Sequence, residues 1–368
     1  MSPPPRELSV GFVVYDGLQK TSGGYRYDRK LVDYLRSAGD DVDIISIPSR
    51  TYPRGFADTF SPSLYRRLNR PYDVLLQDEL CHPSLVGLNH GLSAPESIVT
   101  VAHLLQSGGP PTVLDPVYRL VERTYLGSVD GVLCTSEHTR TWVRGLSATP
   151  ATVAFPGGRK EPSSVASSVG VRSHADSDPF HILFLGNVVP RKGVETLFES
   201  LSNLDGDWRA TIVGNAESNF SYGRRIERLA STSDRIEVLG AVPDARVHEL
   251  LDRAHVLAVP SRYESFGMVY LEAMEAGTVP IATREGGASE IVDHGTNGFL
   301  VAPGEPEAIH DILSTLSNDR ELLADLAERA LETATDHPRW DESMQRARRF
   351  LCSVAETAGE KPAEGEIW

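Results

Sequence analysis

The chain has 368 residues, which is too long for one compact core and predicts two domains. It carries 36 Lys and Arg residues against 51 Asp and Glu residues, which gives a formal net charge of −15 at pH 7. Such a charge would repel phosphate backbones, so nucleic acid is excluded as a general partner.

The composition also bears on the cellular compartment. No run of about 18 apolar residues is present, and the N-terminus lacks the basic-then-apolar order of a secretory signal. The three cysteines are far apart and have no metal-ligand spacing, which is typical of buried thiols in a reducing compartment. We therefore expect a cytoplasmic protein. Lysine is scarce relative to arginine, which fits either a halophilic source or a GC-rich genome.

In chain order, the first half alternates short β-branched runs with helical patterns. A helix is predicted over 24–38, and the predicted strands are 9–16, 42–47, 73–77, 97–103 and 130–136. This alternation predicts a doubly wound parallel sheet with helices on both faces, over a first domain of residues 1–160.

The alternation restarts after a polar, Ser-rich stretch. We interpret 161–178 as a linker and 179–337 as a second Rossmann-like domain, with strands at 181–186, 210–214, 235–240, 255–261 and 279–283. A helix at 338–355 is expected to cross back to the first domain, and the tail 356–368 is expected to be disordered. Two such domains predict a central cleft at the carboxyl ends of the strands, where ligands bind.

The segment 262–282 places two carboxylates around a predicted helix start. The helix is predicted to begin at Gly267 or Met268, where the free N–H groups up to Val269 and the helix dipole would hold a diphosphate. Glu264 precedes the helix and Glu272 lies one turn inside it, so the two cannot form one close pair. The alternative is an ordinary amphipathic helix with two solvated glutamates.

This part of the chain resembles glycosyltransferase family 4, whose hallmark is two glutamates separated by seven residues, as Glu264 and Glu272 are. The resemblance covers 183–201, 212–217 and 238–301. It implies a GT-B fold, a nucleotide-diphosphate sugar as donor, retention of the anomeric configuration, and no required metal or other cofactor. It also implies that Glu264 contacts the transferred sugar, that Glu272 contacts the ribose, and that the intervening Ser265 and Phe266 line the donor.

The loop 186–193 carries the expected phosphate cations. Lys192 is predicted to neutralise the departing diphosphate, since stabilisation of developing charge is usually the largest catalytic effect. The family normally has an arginine directly after the glycine, where this chain has Asn187. Arg191 is the expected substitute because a guanidinium suits bidentate phosphate contact. The alternative interpretation is a solvated basic turn.

The resemblance extends more thinly to other positions. It implies that Gly23 and Gly24 line the donor phosphates and acceptor, that His103 touches the sugar or the reacting centre, and that Val242 reads the base through its backbone. Each position also has a purely structural interpretation as turn, packing or loop geometry. No GxGxxG follows the first strand, which disfavours a dehydrogenase.

Residues 50–72 interleave five arginines with five aromatic side chains. Such a segment could contact an anionic lipid carrier or the inner membrane face, although the sequence favours a variable surface loop. Taken together, the sequence predicts a retaining hexosyltransferase acting on a glycan, lipid-linked or small-molecule acceptor. The alternatives are a sugar phosphorylase, a nucleotide-sugar epimerase and, from another class, a nucleotide-sugar binding protein without activity.

Overall fold

The computed structural model describes residues 6–20, 22–109, 111–159, 168–216 and 219–359. Its contacts divide the chain into two compact units. The first unit comprises the described residues up to Pro156 and from Pro338 onwards, and the second comprises those from Gly157 to His337.

Each unit contains one six-stranded parallel sheet. The strands are β1 Ser9–Tyr15, β2 Asp41–Ile47, β3 Val74–Asp78, β4 Ser97–Ala102, β5 Gly131–Cys134, β6 Ala151–Val153, β7 Phe180–Leu185, β8 Trp208–Val213, β9 Ile236–Gly240, β10 Val256–Val259, β11 Val279–Thr283 and β12 Phe299–Val301. The helices are α1 Gly23–Ser37, α2 Tyr52–Gly55, α3 Pro62–Leu68, α4 His82–Asn89, α5 Asp115–Leu126, α6 Glu137–Leu146, α7 Ser168–Ala175, α8 Val194–Leu201, α9 Phe220–Ala230, α10 Asp244–Arg253, α11 Met268–Met274, α12 Pro306–Asn318, α13 Arg320–Asp336 and α14 Trp340–Gly359.

The predicted fold class is confirmed, and the reason lies in the strand sequences. Strands β3, β4, β5, β10 and β11 are buried at every position, as expected when helices cover both faces of a parallel sheet. The ten predicted strands all occur, with ends shifted by two residues or fewer. The short strands β6 and β12 were not predicted, because three residues carry too little periodicity to recognise.

The strand order defines one point in each unit where a ligand is expected to bind. It is β2-β1-β3-β4-β5-β6 in the first unit and β12-β11-β10-β7-β8-β9 in the second. The order reverses between β1 and β3, and again between β7 and β10. Doubly wound sheets bind ligands outside the carboxyl ends of the strands at such a switch point. The loops that follow these four strands are therefore the places to search for a site.

The C-terminal helix α14 belongs to the first unit. Its Arg348 binds the buried Asp40 carboxylate through two nitrogens, each 2.7 Å from an oxygen, and also donates to the Arg6 carbonyl. The helix continues to Gly359, so the predicted disorder is wrong for residues 356–359. Val354 and Ala355 are buried and extend the apolar face of the helix. Residues 360–368 lie outside the described part of the chain.

The predicted aperiodic linker at 161–178 is wrong over its second part. Helix α7 forms there, and Val171 and Ala175 are both buried in the second unit. They lie four residues apart and so share one helix face, a signal that the surrounding serines obscured. Residues 160–167 lie outside the described part of the chain.

The segment 50–72 contains two short α-helices and a 3-10 helix. Leu64 and Leu68 anchor it in the core, while Arg50 pairs with Asp58 and Arg70 with Asp43. These ion pairs reduce the local positive charge, and membrane contact stays a prediction. Among the described residues, no helix combines the length and the apolar character that a membrane crossing requires.

Candidate functional site

The loop after β7 and the loop after β10 are locked together in the second unit. Gly193 has φ +74°, and a Cβ there would lie 2.1 Å from the Pro260 carbonyl oxygen, so only glycine permits this approach. The Arg262 N–H donates to the Arg191 carbonyl at 2.7 Å. This backbone contact brings Lys192 over Glu264, although the two residues are 72 positions apart.

Arg191, Lys192 and Glu264 form a group that we call the cationic cluster. Lys192 Nζ donates to Glu264 Oε2 at 2.5 Å, and Arg191 Nη1 lies 3.9 Å from the same oxygen. Lys192 and Glu264 are 9% and 8% exposed. The Ser261 hydroxyl donates a further bond to Oε2 at 3.2 Å. Two cations therefore surround one carboxylate, which leaves an excess positive charge at the switch point.

The pKa shifts reflect this excess. Burial would raise the pKa of Glu264, but the charges of Lys192 and Arg191 hold it below its ordinary value. Burial lowers the pKa of Lys192, which Glu264 offsets in part and Arg191 lowers further. The pKa of Glu264 therefore falls because two cations face it, whereas that of Lys192 falls mainly because the ammonium group is buried. An added anion would stabilise the cluster.

The residues predicted for the phosphate loop 186–193 differ in where the structure places them. The side chain of Arg191 is 39% exposed and lies at the cluster, whereas Asn187 is exposed at the loop start. The interpretation of the loop as a solvated basic turn is wrong for Lys192, which is buried against a carboxylate. Arg191, the second cation of the cationic cluster, therefore lies four residues after Asn187.

Glycines lie at or near both ends of helix α11. Gly267 is its N-cap with φ +85°, and a Cβ there would lie 2.4 Å from the Tyr270 ring. At the other end, the Gly277 N–H donates to the Met274 carbonyl and the Thr278 N–H to the Ala273 carbonyl, which is a Schellman motif. The helix itself is 7 residues long and ends at Met274, three residues before Gly277.

The two glutamates have different partners, as their spacing predicts. Glu272 is 2% exposed, and its Oε2 lies 3.0 Å from Nε of Arg159, a residue that was not predicted. Glu264 is also fixed through its backbone, since its N–H donates to the Glu285 carbonyl and its carbonyl accepts from Gly287. The interpretation as solvated glutamates is therefore wrong for both.

The remaining predicted donor residues lie on the same edge of the sheet. Ser265, Met268 and Val269 are partly exposed between Glu264 and the first turn of α11. Phe266 is buried, and its ring packs against His337. Val242 is partly exposed in the turn between β9 and α10, directly before the N-cap Pro243.

A second buried group occupies the switch point of the first unit, and we call it the acidic cluster: Asp28, Asp78, Glu79 and His103. His103 Nε2 lies 2.9 Å from Asp28 Oδ1, and the His103 N–H donates to the Glu79 carboxylate at 2.6 Å. Asp78 accepts from the Leu80 N–H. All four side chains are buried.

The start of α1 lies against this cluster. A Cβ on Gly24 would lie 3.3 Å from the His103 ring, so Gly24 and His103 are brought together, while Gly23 is exposed. Asp28, one turn further along α1, was missed because an isolated aspartate in a helix carries no motif. Asp78 and Glu79 did carry a signal, because they directly follow a buried strand at a switch point.

The pKa values of three groups in the acidic cluster are raised: His103, Asp78 and Glu79. Burial would lower the pKa of His103, but the charge and hydrogen bond of Asp28 raise it to about 10. Burial and the Asp28 charge raise the pKa of Asp78 to about 7, and burial raises that of Glu79 well above its ordinary value. His103 is therefore an imidazolium at neutral pH, able to donate hydrogen bonds but not to accept a proton. One atom each of Asp28, Asp78 and His103 lies within 4.8 Å of the others, a spacing of possible metal ligands.

Sequence similarity to known proteins is clearest in the second unit of this chain. The family model described as "Glycosyl transferases group 1" matches residues 171–333, which supports placing that segment in the family. A D-inositol 3-phosphate glycosyltransferase of Xylanimonas cellulosilytica is 35% identical over 185 residues, which cover 50% of this chain and 43% of that protein. An enzyme of the same name from Streptomyces bingchenggensis is 30% identical over 276 residues, covering 70% of this chain and 59% of the relative. The chain thus spans about half the length of the curated relatives it matches.

Solved structures resemble nearly the whole chain. Sucrose-phosphate synthase of Thermosynechococcus elongatus matches with a TM-score of 0.81 and 20% identity, covering 96% of this chain and all of that one. HepE of Anabaena, solved in complex with UDP-glucose, matches with a TM-score of 0.71 and 19% identity over 94% of this chain and all of that one. At these identities the likeness shows the fold, which is that of GT-B glycosyltransferases.

Proposed function

We propose that this chain is a retaining glycosyltransferase of family 4, which transfers a hexose from a nucleotide-diphosphate sugar bound by the second unit. The observation that carries the proposal is the cationic cluster at the β7/β10 switch point. A buried lysine and a partly exposed arginine around one carboxylate provide the positive charge that a diphosphate requires. The UDP-glucose bound to HepE supports the donor class, and the names of the relatives support sugar transfer.

We assign roles to the residues from their positions. Lys192 and Arg191 bind the diphosphate and stabilise it as it departs, which is why no metal is required in this proposal. Glu264, held between these cations, accepts hydrogen bonds from the sugar hydroxyls, and Glu272 does so from the ribose. Gly267 to Val269 offer backbone N–H groups beside the phosphates, and the backbone of Val242 contacts the base.

The proposed reaction is a same-face displacement, which retains the configuration without a covalent intermediate on the protein. The bond between the sugar C1 and the phosphate oxygen breaks, and the acceptor oxygen bonds to C1 on the same face. The departing phosphate takes the acceptor's proton, so the configuration is retained and the products are glycoside and nucleoside diphosphate. His103, as an imidazolium, supplies a fixed hydrogen-bond donor rather than general base catalysis.

The acceptor is a glycan, lipid-linked or small-molecule hydroxyl compound that the first unit binds near Gly24 and His103. The curated relatives are named for D-inositol 3-phosphate, which makes that compound one acceptor to assay. The first unit carries less of the sequence similarity than the second, because the family model ends at residue 333 and begins at 171. Acceptor assays therefore include simple sugars and polyprenyl-phosphate sugars.

The test is a transfer assay with a panel of nucleotide sugars and acceptors, read by nucleoside diphosphate release and by NMR of the product anomer. We expect release that depends on acceptor and a product with the anomeric configuration of the donor. Lys192→Ala and Glu264→Ala should each reduce transfer about 100-fold or more. Arg320→Ala, at the start of α13 and beside the amino end of β7, should leave transfer unchanged.

Other outcomes identify the alternatives. Phosphate-dependent cleavage of a glycoside would indicate a phosphorylase, and an altered nucleotide sugar without acceptor would indicate an epimerase. Tight binding without turnover on any acceptor would indicate a binding protein. Normal transfer by either cluster variant would contradict the proposed site.

A further inference from the structure

Arg159 pairs with residues from two elements of the proposed donor site, although it lies outside the family motifs. It lies close to the start of the second unit, and its side chain is 14% exposed. Its Nε lies 3.0 Å from Glu272 Oε2, and its Nη1 lies 2.6 Å from Asp244 Oδ1. Its backbone N–H donates to the Glu275 carboxylate at 2.7 Å.

The charges around Arg159 favour its contacts with the two carboxylates. Burial would lower the pKa of Arg159, but the carboxylates of Glu272 and Asp244 raise it. The two carboxylates belong to different elements: Glu272 lies inside α11, and Asp244 is the first residue of α10, two positions after Val242. One guanidinium therefore ties the helix that carries the ribose-binding carboxylate to the loop that faces the base.

We propose that Arg159 is a positioning residue for the nucleoside half of the donor. It fixes the Glu272 carboxylate so that the carboxylate can accept both ribose hydroxyls, and it holds the turn at Val242 against the base. This inference rests on the proposed function and adds a residue that contacts neither the phosphates nor the sugar.

The chemistry of arginine suits this task. Its planar fork presents several donors in a fixed geometry, so one side chain can bind two carboxylates at once. A buried carboxylate that loses its cationic partner is left with an uncompensated charge, which favours another side-chain position. Lysine preserves the charge but not the fork, so Arg159→Lys should restore only part of the effect.

The experiment measures how strongly the protein recognises the ribose hydroxyls. The full chain is titrated calorimetrically with UDP, GDP and ADP, and the tightest binder is compared with its 2′,3′-dideoxy analogue. Two hydrogen bonds to a carboxylate predict that the wild-type protein binds the ordinary nucleotide about 10- to 100-fold more tightly. The same ratio is measured for Arg159→Ala, Arg159→Lys and Arg320→Ala.

Arg320 provides a matched control, because it is also a partly buried arginine of the second unit that pairs with an exposed aspartate, Asp178, at 2.9 Å. It lies beside the amino end of β7, away from the proposed site. We expect Arg159→Ala to lower the discrimination ratio to about 2 or less, Arg159→Lys to give an intermediate ratio, and Arg320→Ala to keep the wild-type ratio.

The outcomes separate this inference from the proposed function. An unchanged ratio in Arg159→Ala and Arg159→Lys, with diphosphate binding intact, would overturn the inference alone. An equal loss of the ratio in Arg320→Ala would also overturn it, since the effect would then reflect general destabilisation. A wild-type protein that binds none of the three diphosphates would overturn the proposed function itself.

Discussion

The cationic cluster and the acidic cluster occupy equivalent places in two sheets and have opposite electrostatics. In the cationic cluster, two cations share one carboxylate, and the pKa values of Lys192 and Glu264 are both lowered. In the acidic cluster, three carboxyl groups surround one imidazole, and the pKa values of His103, Asp78 and Glu79 are all raised. The same topology thus supports two chemically different sites.

The difference indicates a division of roles between the units. A cluster with surplus positive charge gains most from an added anion, which suits a diphosphate. A cluster of carboxyl groups with raised pKa values stabilises a cation that is already present, and here that cation is the His103 imidazolium. Among the described residues, no hydrogen bond is formed by His103 Nδ1, so this nitrogen can donate to a hydroxyl.

The comparison is tested most strongly by removing the second cation from the cationic cluster. Arg191→Ala should lower transfer and nucleoside diphosphate affinity about 10- to 100-fold, the range expected for a lost charge-assisted contact. The fold should persist, since the Arg191 side chain is 39% exposed. Initial rates and calorimetric affinities measure the effect.

A rescue variant sharpens this test. Asn187→Arg in the Arg191→Ala background places an arginine directly after the glycine and should recover part of the lost affinity. Arg225→Ala, which removes an exposed partner of Glu195, serves as the control and should match the wild-type protein. Wild-type affinity in Arg191→Ala would show that the cluster holds no diphosphate through this residue.

A smaller effect is expected from the acidic cluster. Asp28→Asn removes the charge that holds the pKa of His103 near 10, so the ring should titrate within the neutral range. We expect transfer to fall about tenfold at pH 8, where the ring of the variant has lost its proton, with a smaller loss at pH 6. Histidine ring NMR signals followed from pH 5 to 10 report the titration directly.

The free energy of unfolding of the Asp28→Asn variant provides a second test of the charge on His103. The folded pKa of His103 lies above its ordinary value of 6.5, so the stability from the ion pair is fully present below pH 6.5 and is lost as pH rises towards about 10. Removing Asp28 also relieves its repulsion of Asp78, which is ionised at high pH. The destabilisation caused by Asp28→Asn should therefore be larger at pH 6 than at pH 9.5 in urea unfolding. A larger loss at pH 9.5 would contradict the imidazolium assignment.

The fold could be predicted from the sequence because many of its strands are buried on both faces. Largely apolar, β-branched runs such as 97–103 and 279–283 indicate parallel strands without any structural information. The three-residue edge strands were missed because only one position in each is buried, and helix α7 was missed because the surrounding serines obscure its apolar face. The strand order, which places the two clusters, follows from tertiary packing and is not encoded in any local pattern.

The candidate site could be predicted only where residues belong to a motif. Glu264, Glu272, Lys192 and Arg191 were identified from spacing and resemblance, and the structure brings three of them together. Asp28 and Arg159 were not identified, because each acts on a residue distant in sequence: His103 is 75 positions from Asp28. A long-range ion pair leaves no periodic or spacing signal in a single sequence.

The central claim is that the cationic cluster binds a diphosphate, and competitive binding of nucleotides tests it most directly. The full chain and its Lys192→Met variant are titrated with the tightest-binding nucleoside diphosphate and with the corresponding monophosphate. We predict that the wild-type protein binds the diphosphate at least tenfold more tightly and that Lys192→Met loses most of this preference. An equal preference in both proteins would contradict the account, because the second phosphate would then be held elsewhere.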